Sequence, residues 1–277
     1  MKNNPLVSVI ISTRNEADVI GQLLTSIKKQ TYTHFEIIVV DNNSQDETKT
    51  IAKKFTDNVF NHGPERSAQR NYGAGKAVGE CLLFLDADME LGSTVIEACL
   101  NWIKKDKNIG GVIIPEISVG ERYWEKVKAF ERSFYFEKGG FGIESARFFT
   151  KEAFAKTGGY DAGITGTEDW ELSESVRKSG FTIVRITSPL YHHETIPSLA
   201  NLARKYYYYG LTAHRTLAKQ NTPVISPKTI QFLRPVFYQK FHRFFVHPLL
   251  GIGVFVLLST ELAASGVGFI IGKIKHA

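Results

Sequence analysis

The chain has 277 residues but only two cysteines, Cys81 and Cys99. Both sit inside apolar runs, which suits buried free thiols in a reducing compartment and excludes a disulfide-stapled scaffold. The amino terminus, MKNNPLVSVII, has no long apolar stretch ahead of a cleavage site, so no signal peptide is expected. Low-complexity segments and internal repeats are missing too. There is no G-x-x-x-x-G-K-[ST], and no G-x-G-x-x-G follows the first strand-like run. The glycine-rich GGFGIE (139–144) and GIGVFV (251–256) lack that spacing and context. P-loop hydrolysis and dinucleotide redox chemistry are thereby set aside.

Acid is absent from one long stretch. Between Glu194 and Glu261 there is no Asp or Glu, while eight basic residues fall there: Arg204, Lys205, Arg215, Lys219, Lys228, Arg234, Lys240 and Arg243. The net charge of the whole chain is +6, so the remainder is slightly acidic and the basicity belongs to the carboxyl-terminal third.

What is present begins with strands and helices in alternation. VSVIIS (7–12), FEIIVVD (35–41), CLLFL (81–85) and GGVIIP (110–115) read as buried strands, with a short one at VF (59–60). Helical spacing follows in the stretch around Leu23, Leu24 and Ile27, through Ile51, over 67–78 and over 93–105. The strand runs are unbroken rather than alternating, as in parallel strands covered on both faces. The fold class is therefore α/β, a mostly parallel sheet flanked by helices, and ligands bind such sheets outside the carboxyl ends of the strands.

Three strands end in polar or acidic residues: Ser12-Thr13-Arg14-Asn15-Glu16, Asp41-Asn42-Asn43 and Asp86-Ala87-Asp88. Parallel strands bring these tips to one edge. Two carboxylates one residue apart repel, and burying them is costly unless positive charge lies between them. A lone Asp at such a tip caps a helix. The D-x-D spacing after a buried strand also suits Mn²⁺ or Mg²⁺, whose oxygen ligands are often completed by substrate phosphates. The basic helix from Arg66 to Lys76 precedes it and is placed to face a diphosphate.

VSVIISTRNE, FEIIVVDNNSQDET, ERSAQRNYGAGKAVGECLLFLDADM and GGYDAGITGTEDWELSESVRKSG, in that order over about residues 5–195, resemble the motifs of the family 2 inverting glycosyltransferases with the GT-A fold. The TRNE motif also resembles polyprenyl-phosphate sugar transferases. The resemblance implies a nucleotide-sugar in the first half and an acceptor in the second. It places Ser12, Thr13, Asn15 and Glu16 in the loop beside the nucleoside and Asp41 on the base or ribose. Asn42 stands where many members carry a second Asp, which leaves UDP- and GDP-sugars both open as donors. Arg66 and Arg70 match the basic positions, Asp86 and Ala87 the diphosphate site, and Asp88 with Asp86 the metal site. Some relatives carry a histidine ligand near His192-His193, so His193 joins the metal set.

Thr167-Glu168-Asp169-Trp170-Glu171 is the second acidic motif. Acids at a helix start favour the macrodipole without catalysis, and Glu171 and Glu174 are expected on such a solvated face. Asp169 matches the family's general base, with Glu168 secondary. An inverting displacement needs a base opposite the leaving group, whereas a lipid-phosphate acceptor, already ionised, needs none. FGIESARFFTKEAFAKTGGYD (141–161) resembles the segment leading to the acceptor site.

The tail, LANLARKYYYYGLTAHRTLAKQ (199–220) and KTIQFLRPVFYQKFHRFFVHP (228–248), interleaves cations with aromatics. Nucleic acid and a membrane interface both use that pairing. From Phe244 to Gly272 the only ionisable residues are His247 and Glu261. Pro248–Thr260 is 13 residues, about 20 Å of helix and short of a hydrocarbon core of about 30 Å. Extension to Gly272 puts Glu261 near the middle at roughly 2.5–3.5 kcal/mol. One span and two short interfacial helices fit equally. Membrane association is expected, monotopic in form, and nucleic acid is rejected as the partner.

The expectation is a catalytic domain over 1–198 and a helical membrane-associating region over 199–277. Its function would be metal-dependent, inverting transfer of a sugar to a lipid-linked acceptor, with the catalytic domain in the cytoplasm. A polyprenyl-phosphate sugar synthase and a non-catalytic sugar-nucleotide-binding protein are the alternatives.

Overall fold

Apolar runs without polar interruption need cover on both faces, and the fold supplies it. The computed structural model describes residues 4–136 and 144–275. Parts of the 139–144 and 141–161 segments named above lie outside the described residues. In chain order the elements are β1 (Val7–Thr13), α1 (Ile20–Lys28), β2 (Phe35–Asp41), α2 (Thr48–Ala52), β3 (Val59–Asn61), α3 (Arg66–Lys76), β4 (Cys81–Asp86), β5 (Met89–Leu91), α4 (Val95–Lys105), β6 (Ile109–Ile113) and β7 (Glu116–Val119). There follow α5 (Tyr123–Phe136), β8 (Phe148–Thr150), α6 (Lys151–Thr157), α7 (Glu168–Lys178), β9 (Thr182–Arg185), β10 (Leu190–His193), α8 (Leu199–Lys219), α9 (Pro235–Gln239), α10 (His242–Val246) and α11 (Pro248–Lys275).

Seven strands form one sheet in the order β3-β2-β1-β4-β8-β6-β9. β1 is parallel to β2 and β4, β2 to β3, and β6 to β9, while β8 runs antiparallel to β4 and β6. Successive strand residues point to opposite faces. Val9 and Ile11 of β1 therefore pack with Leu83, Leu85 and the α1 residues Leu23 and Ile27 on one face. Ile10 packs with Leu82, Phe84 and Phe149 on the other. Each such side chain contributes about 1.5–3 kcal/mol on full burial; the one polar residue within β1 before its end, Ser8, is fully buried and donates its hydroxyl to Glu36. Cys81 and Cys99 are free thiols inside the first of these cores.

Register then fixes the site. Thr13 lies opposite Asp41 and Ser12 opposite Asp86, so β1, β2 and β4 end level at their carboxyl edge.

Two compact units divide the chain. One holds the sheet, with the chain up to Glu116, Ser145–Ala162 and Glu168–His192; the other holds Ile117–Glu144, Gly163–Thr167 and the chain from His193 onward. The sequence draws a single boundary at 198/199, but α5 groups with the carboxyl-terminal helices. Its Val127, Phe130 and Phe134 share a core with Phe237, Val254 and Leu257.

Pro248 opens α11, where a residue without an amide donor is tolerated, and α11 then runs unbroken for 28 residues. Two short helices are not formed. It is long and apolar enough to cross a membrane by length and composition. Glu261 lies inside the helical unit at 1% exposure, 3.0 Å from Lys128 Nζ, and accepts a 2.9 Å hydrogen bond from Gln231 Nε2.

Candidate active site

The loops after β1 and β2 are tied together. Asn15 N donates to Ser44 Oγ at 2.7 Å, Gln45 N to Asn15 Oδ1 at 2.9 Å, and Glu16 N to Thr48 Oγ1 at 2.8 Å. Asn15 and Asn43 adopt φ of 54° and 53°, left-handed conformations that asparagine tolerates better than most residues. Beneath them Gln69 Nε2 donates to the carbonyls of Thr13 and Val40 at 2.9 and 2.6 Å. Asp41 is fully buried and accepts from the Ser44 amide and hydroxyl. Asn42 Nδ2 donates to the Pro64 carbonyl at 2.5 Å. Four of the expected nucleotide residues, Thr13, Asn15, Asp41 and Asn42, thus shape the strand-tip loops.

The acids at the tip of β4 meet arginines. Asp86 Oδ1 accepts from Arg70 Nη2 at 2.8 Å and from Ser12 Oγ at 3.3 Å. Its other oxygen lies 3.5 Å from Arg147 Nη1 and 3.9 Å from Arg66 Nη1. Burial by itself would raise the Asp86 carboxyl, but the Arg70, Arg66 and Arg147 guanidiniums hold it well below the usual carboxylate range. Ala87 beside it is buried.

Arg70 is fully buried on α3, with its guanidinium carbon 5.1 Å from the centre of the Tyr160 ring. Its Nη1 donates to Asp169 Oδ1 at 2.9 Å and lies 3.5 Å from Glu168 Oε1. Arg66, one turn earlier and 38% exposed, reaches Glu168 at 3.5 Å. Glu168 is pushed up chiefly by burial and then by Asp169, with Arg66 and Arg70 opposing. Asp169 keeps 23% of its side chain exposed at the opening of α7. Glu171 departs from the expected solvated face: at 1% exposure it accepts from Ser175 Oγ at 2.6 Å. Glu174 pairs with Arg177 at 2.6 Å.

Arg147 and Glu116 were not legible in the sequence. Arg147 Nε donates to Glu116 Oε1 at 2.7 Å, and its Nη1 lies 3.9 Å from Asp169 Oδ2. Glu116 Oε2 lies 3.7 Å from His192 Nδ1, and His192 Nε2 lies 3.1 Å from Asp88 Oδ2. A chain of charged and imidazole groups thus runs Asp88–His192–Glu116–Arg147 and ends between Asp86 and Asp169. His192 is the histidine that meets Asp88; His193, which the resemblance puts in the metal set, is the next residue of the same strand. β10 pairs antiparallel with β5, with His192 opposite Met89, and that register selects the residue.

A divalent cation suits this corner. Among the described residues no three His, Cys, Asp or Glu side chains cluster as a complete ligand set, because Asp86 is turned to arginines. Asp88 Oδ1, however, is buried and meets no hydrogen-bond donor among the described residues. Glu16 is pushed up to about 7 by burial, then by Asp88 and Asp86, so the corner holds negative charge in excess. One or two carboxylates plus substrate phosphates form a common Mg²⁺ or Mn²⁺ environment.

The chain is similar to known proteins. The family described as Glycosyl transferase family 2 matches residues 8–160. Glycosyltransferase AglE of Haloferax volcanii is 42% identical over 93 residues, 30% of this chain and 31% of that protein. An uncharacterized glycosyltransferase, RT0329, of Rickettsia typhi is 26% identical over 283 residues, 87% of this chain and 83% of its own length. The GalNAc(5)-diNAcBac-PP-undecaprenol beta-1,3-glucosyltransferase of Campylobacter jejuni is 33% identical over 106 residues, 35% of this chain and 34% of that protein. The chain thus spans about a third of the length of the first and third of these relatives.

Solved structures agree on the fold. The mannosyltransferase PcManGT from Pyrobaculum calidifontis, in complex with GDP-Man and Mn²⁺, superposes with a TM-score of 0.59 at 18% identity, covering 99% of this chain and 76% of that one. S. aureus TarS 1–349 in complex with UDP-GlcNAc gives 0.55 at 16% identity, covering 94% and 90%. The family match takes in the strand tips, both arginines of α3 and the D-x-D, and it spans more than half of the sequence. This chain belongs to glycosyl transferase family 2, a glycosyltransferase with the GT-A fold.

Proposed function

We propose that this protein transfers a sugar, with inversion, from a nucleoside-diphosphate donor to a lipid-linked acceptor at the cytoplasmic face of a membrane. The observation that carries the reading is the Arg70 guanidinium, which bridges Asp86 at the donor edge and Asp169 on α7 at 2.8 and 2.9 Å. It sets a partly exposed carboxylate beside a concentrated positive charge, the pairing that an in-line displacement requires.

In the reaction the acceptor hydroxyl attacks the anomeric carbon as its bond to the phosphate oxygen breaks. Asp169 takes the hydroxyl proton, with the buried Glu168 the secondary candidate for that role. Arg66 and Arg70 receive the charge that develops on the departing diphosphate. Asp88 with His192 would hold Mn²⁺ or Mg²⁺, which when bound adds positive charge against the same leaving group. Donor and metal reading draw support from PcManGT, whose complex contains GDP-Man and Mn²⁺, and from TarS with UDP-GlcNAc. The acceptor reading draws on the Campylobacter relative, whose name specifies an undecaprenol-linked substrate, and on the apolar α11.

A second reading rests on one specific contact. Asp169 already pairs with Arg70 at 2.9 Å and stands 3.9 Å from Arg147, as suits a positioning residue. A polyprenyl-phosphate acceptor, ionised before it binds, needs only that.

Thermal stabilisation of the purified protein by UDP, GDP and their sugars, each with and without Mn²⁺, tests the donor site. A ligand at a hundred times its dissociation constant adds about 2.7 kcal/mol. A base-selective shift that grows with metal is expected; no shift with any nucleotide would overturn the reading.

A further inference from the structure

Sugar transfer does not account for the surface of the carboxyl-terminal helices. α11 carries Leu249, Ile252, Phe255, Val267, Ile270 and Ile274, each more than half exposed. At about 100° per residue, these six and Leu262 fall within about 140° of the circumference, along one side of the helix. Glu261 and Lys128 lock the opposite side into the helical unit at 3.0 Å.

That opposite side is bound backbone to backbone. A Cβ at Gly268 would sit 2.2 Å from the Tyr207 carbonyl, one at Gly272 2.0 Å from that of Leu211, and one at Gly210 2.3 Å from that of Ser265. α8 and α11 therefore move as one body. α8 exposes Arg204 and Lys205 just ahead of Tyr207, so α11 cannot cross the hydrocarbon with its partner attached without carrying those cations in.

Charge selects what covers the stripe. From residue 195 to 275 the single acid is Glu261, and it is buried. Among the described residues this stretch exposes cations and no carboxylate, with Lys273 and Lys275 exposed at the end of α11. A second copy would bring like charge to like charge, whereas an anionic bilayer answers both the cations and the apolar stripe. We infer that α11 lies in the headgroup plane of an anionic membrane with this stripe inserted, and does not span it. The inference deepens the membrane part of the reading above and is independent of the transfer chemistry.

The test uses the full chain and vesicles of phosphatidylcholine, with or without 30% phosphatidylglycerol. Partition onto the anionic vesicles is expected to exceed that onto the neutral ones at least tenfold. Ile252→Glu and Phe255→Glu should each reduce it at least tenfold, with melting temperature and nucleotide-induced stabilisation unchanged. Ile252→Cys and Leu262→Cys, ten positions and about 15 Å of helix apart, half the thickness of a hydrocarbon core, would carry a fluorescent label each. Equal, shallow quenching depths support the in-plane helix. One label near the bilayer centre, or self-association that buries the stripe without lipid, overturns it. So does failure to bind vesicles, while an intact nucleotide shift in that same protein would leave the transferase reading standing.

Discussion

Arg70 and Asp169 meet at 2.9 Å although 99 positions separate them in the chain. Arg70 is fully buried and faces Asp86 and Glu168 as well, so its charge is what allows three carboxylates to share one edge. Removing it leaves them facing each other with weaker compensation. Arg70→Met is expected to destabilise the fold by about 3–5 kcal/mol, read by urea unfolding. Arg66→Met, at a more exposed position, should lose about 1 kcal/mol or less; equal losses would contradict this ranking.

Asp169→Asn keeps the shape of the side chain and removes its basicity. With a hydroxyl acceptor, turnover should fall by about 10²–10⁴, while donor-induced stabilisation of the protein stays as in the wild type. Near-normal turnover would shift the assignment to the phosphate-acceptor reading.

The divalent-cation corner separates the two adjacent histidines. His192→Ala should weaken the Mn²⁺ dependence of nucleotide stabilisation by about 10–100-fold, and Asp88→Asn should abolish it. His193→Ala should leave it within about twofold. Titrating Mn²⁺ into each variant with saturating nucleotide decides among them, and a reversed order of the histidines would undo the geometric assignment.

Glu16 governs a pH effect whose sign is fixed. Its carboxyl is pushed up from 4.5 to about 7 by burial, Asp88 and Asp86. The native state therefore binds more protons than the unfolded chain between those values, and stability falls as pH rises through that window. Glu16→Gln should flatten the slope of melting temperature between about pH 5 and pH 7.5 in metal-free protein. An unchanged slope would mean that Glu16 is solvated and ionised throughout.

Much of the sheet was readable because doubly covered strands are mostly apolar, with Ser8 and Glu36 the polar residues near the starts of β1 and β2 and bonded to each other. β1, β2 and β4 accordingly print as apolar runs that stop where their carboxyl ends reach solvent. Motif order picks out Asp86, Asp88 and Asp169, and the fold sets the first and last of them on Arg70. Arg147 and Glu116 had no such signal: each is a single charge beside a strand, and only the tertiary fold sets them 2.7 Å apart. The choice between His192 and His193 depends on the register of β10 against β5, where a one-residue slip exchanges the two faces. Glu261 was weighed as an acid stranded in an apolar helix, since nothing local points to Lys128, 133 positions away.

The ties between the strand-tip loops bear on how a donor is chosen. Asn15, Ser44, Gln45 and Thr48 already fix both loops through hydrogen bonds of 2.7–2.9 Å. Ordering a free backbone would cost roughly 1–2 kcal/mol per residue, and here that ordering accompanies folding instead of ligand capture. A nucleotide that docks on these loops meets a preorganised floor. Rival donors would then be told apart by the groups they present to it, because a wrong base and a right one forgo the same small amount of chain entropy.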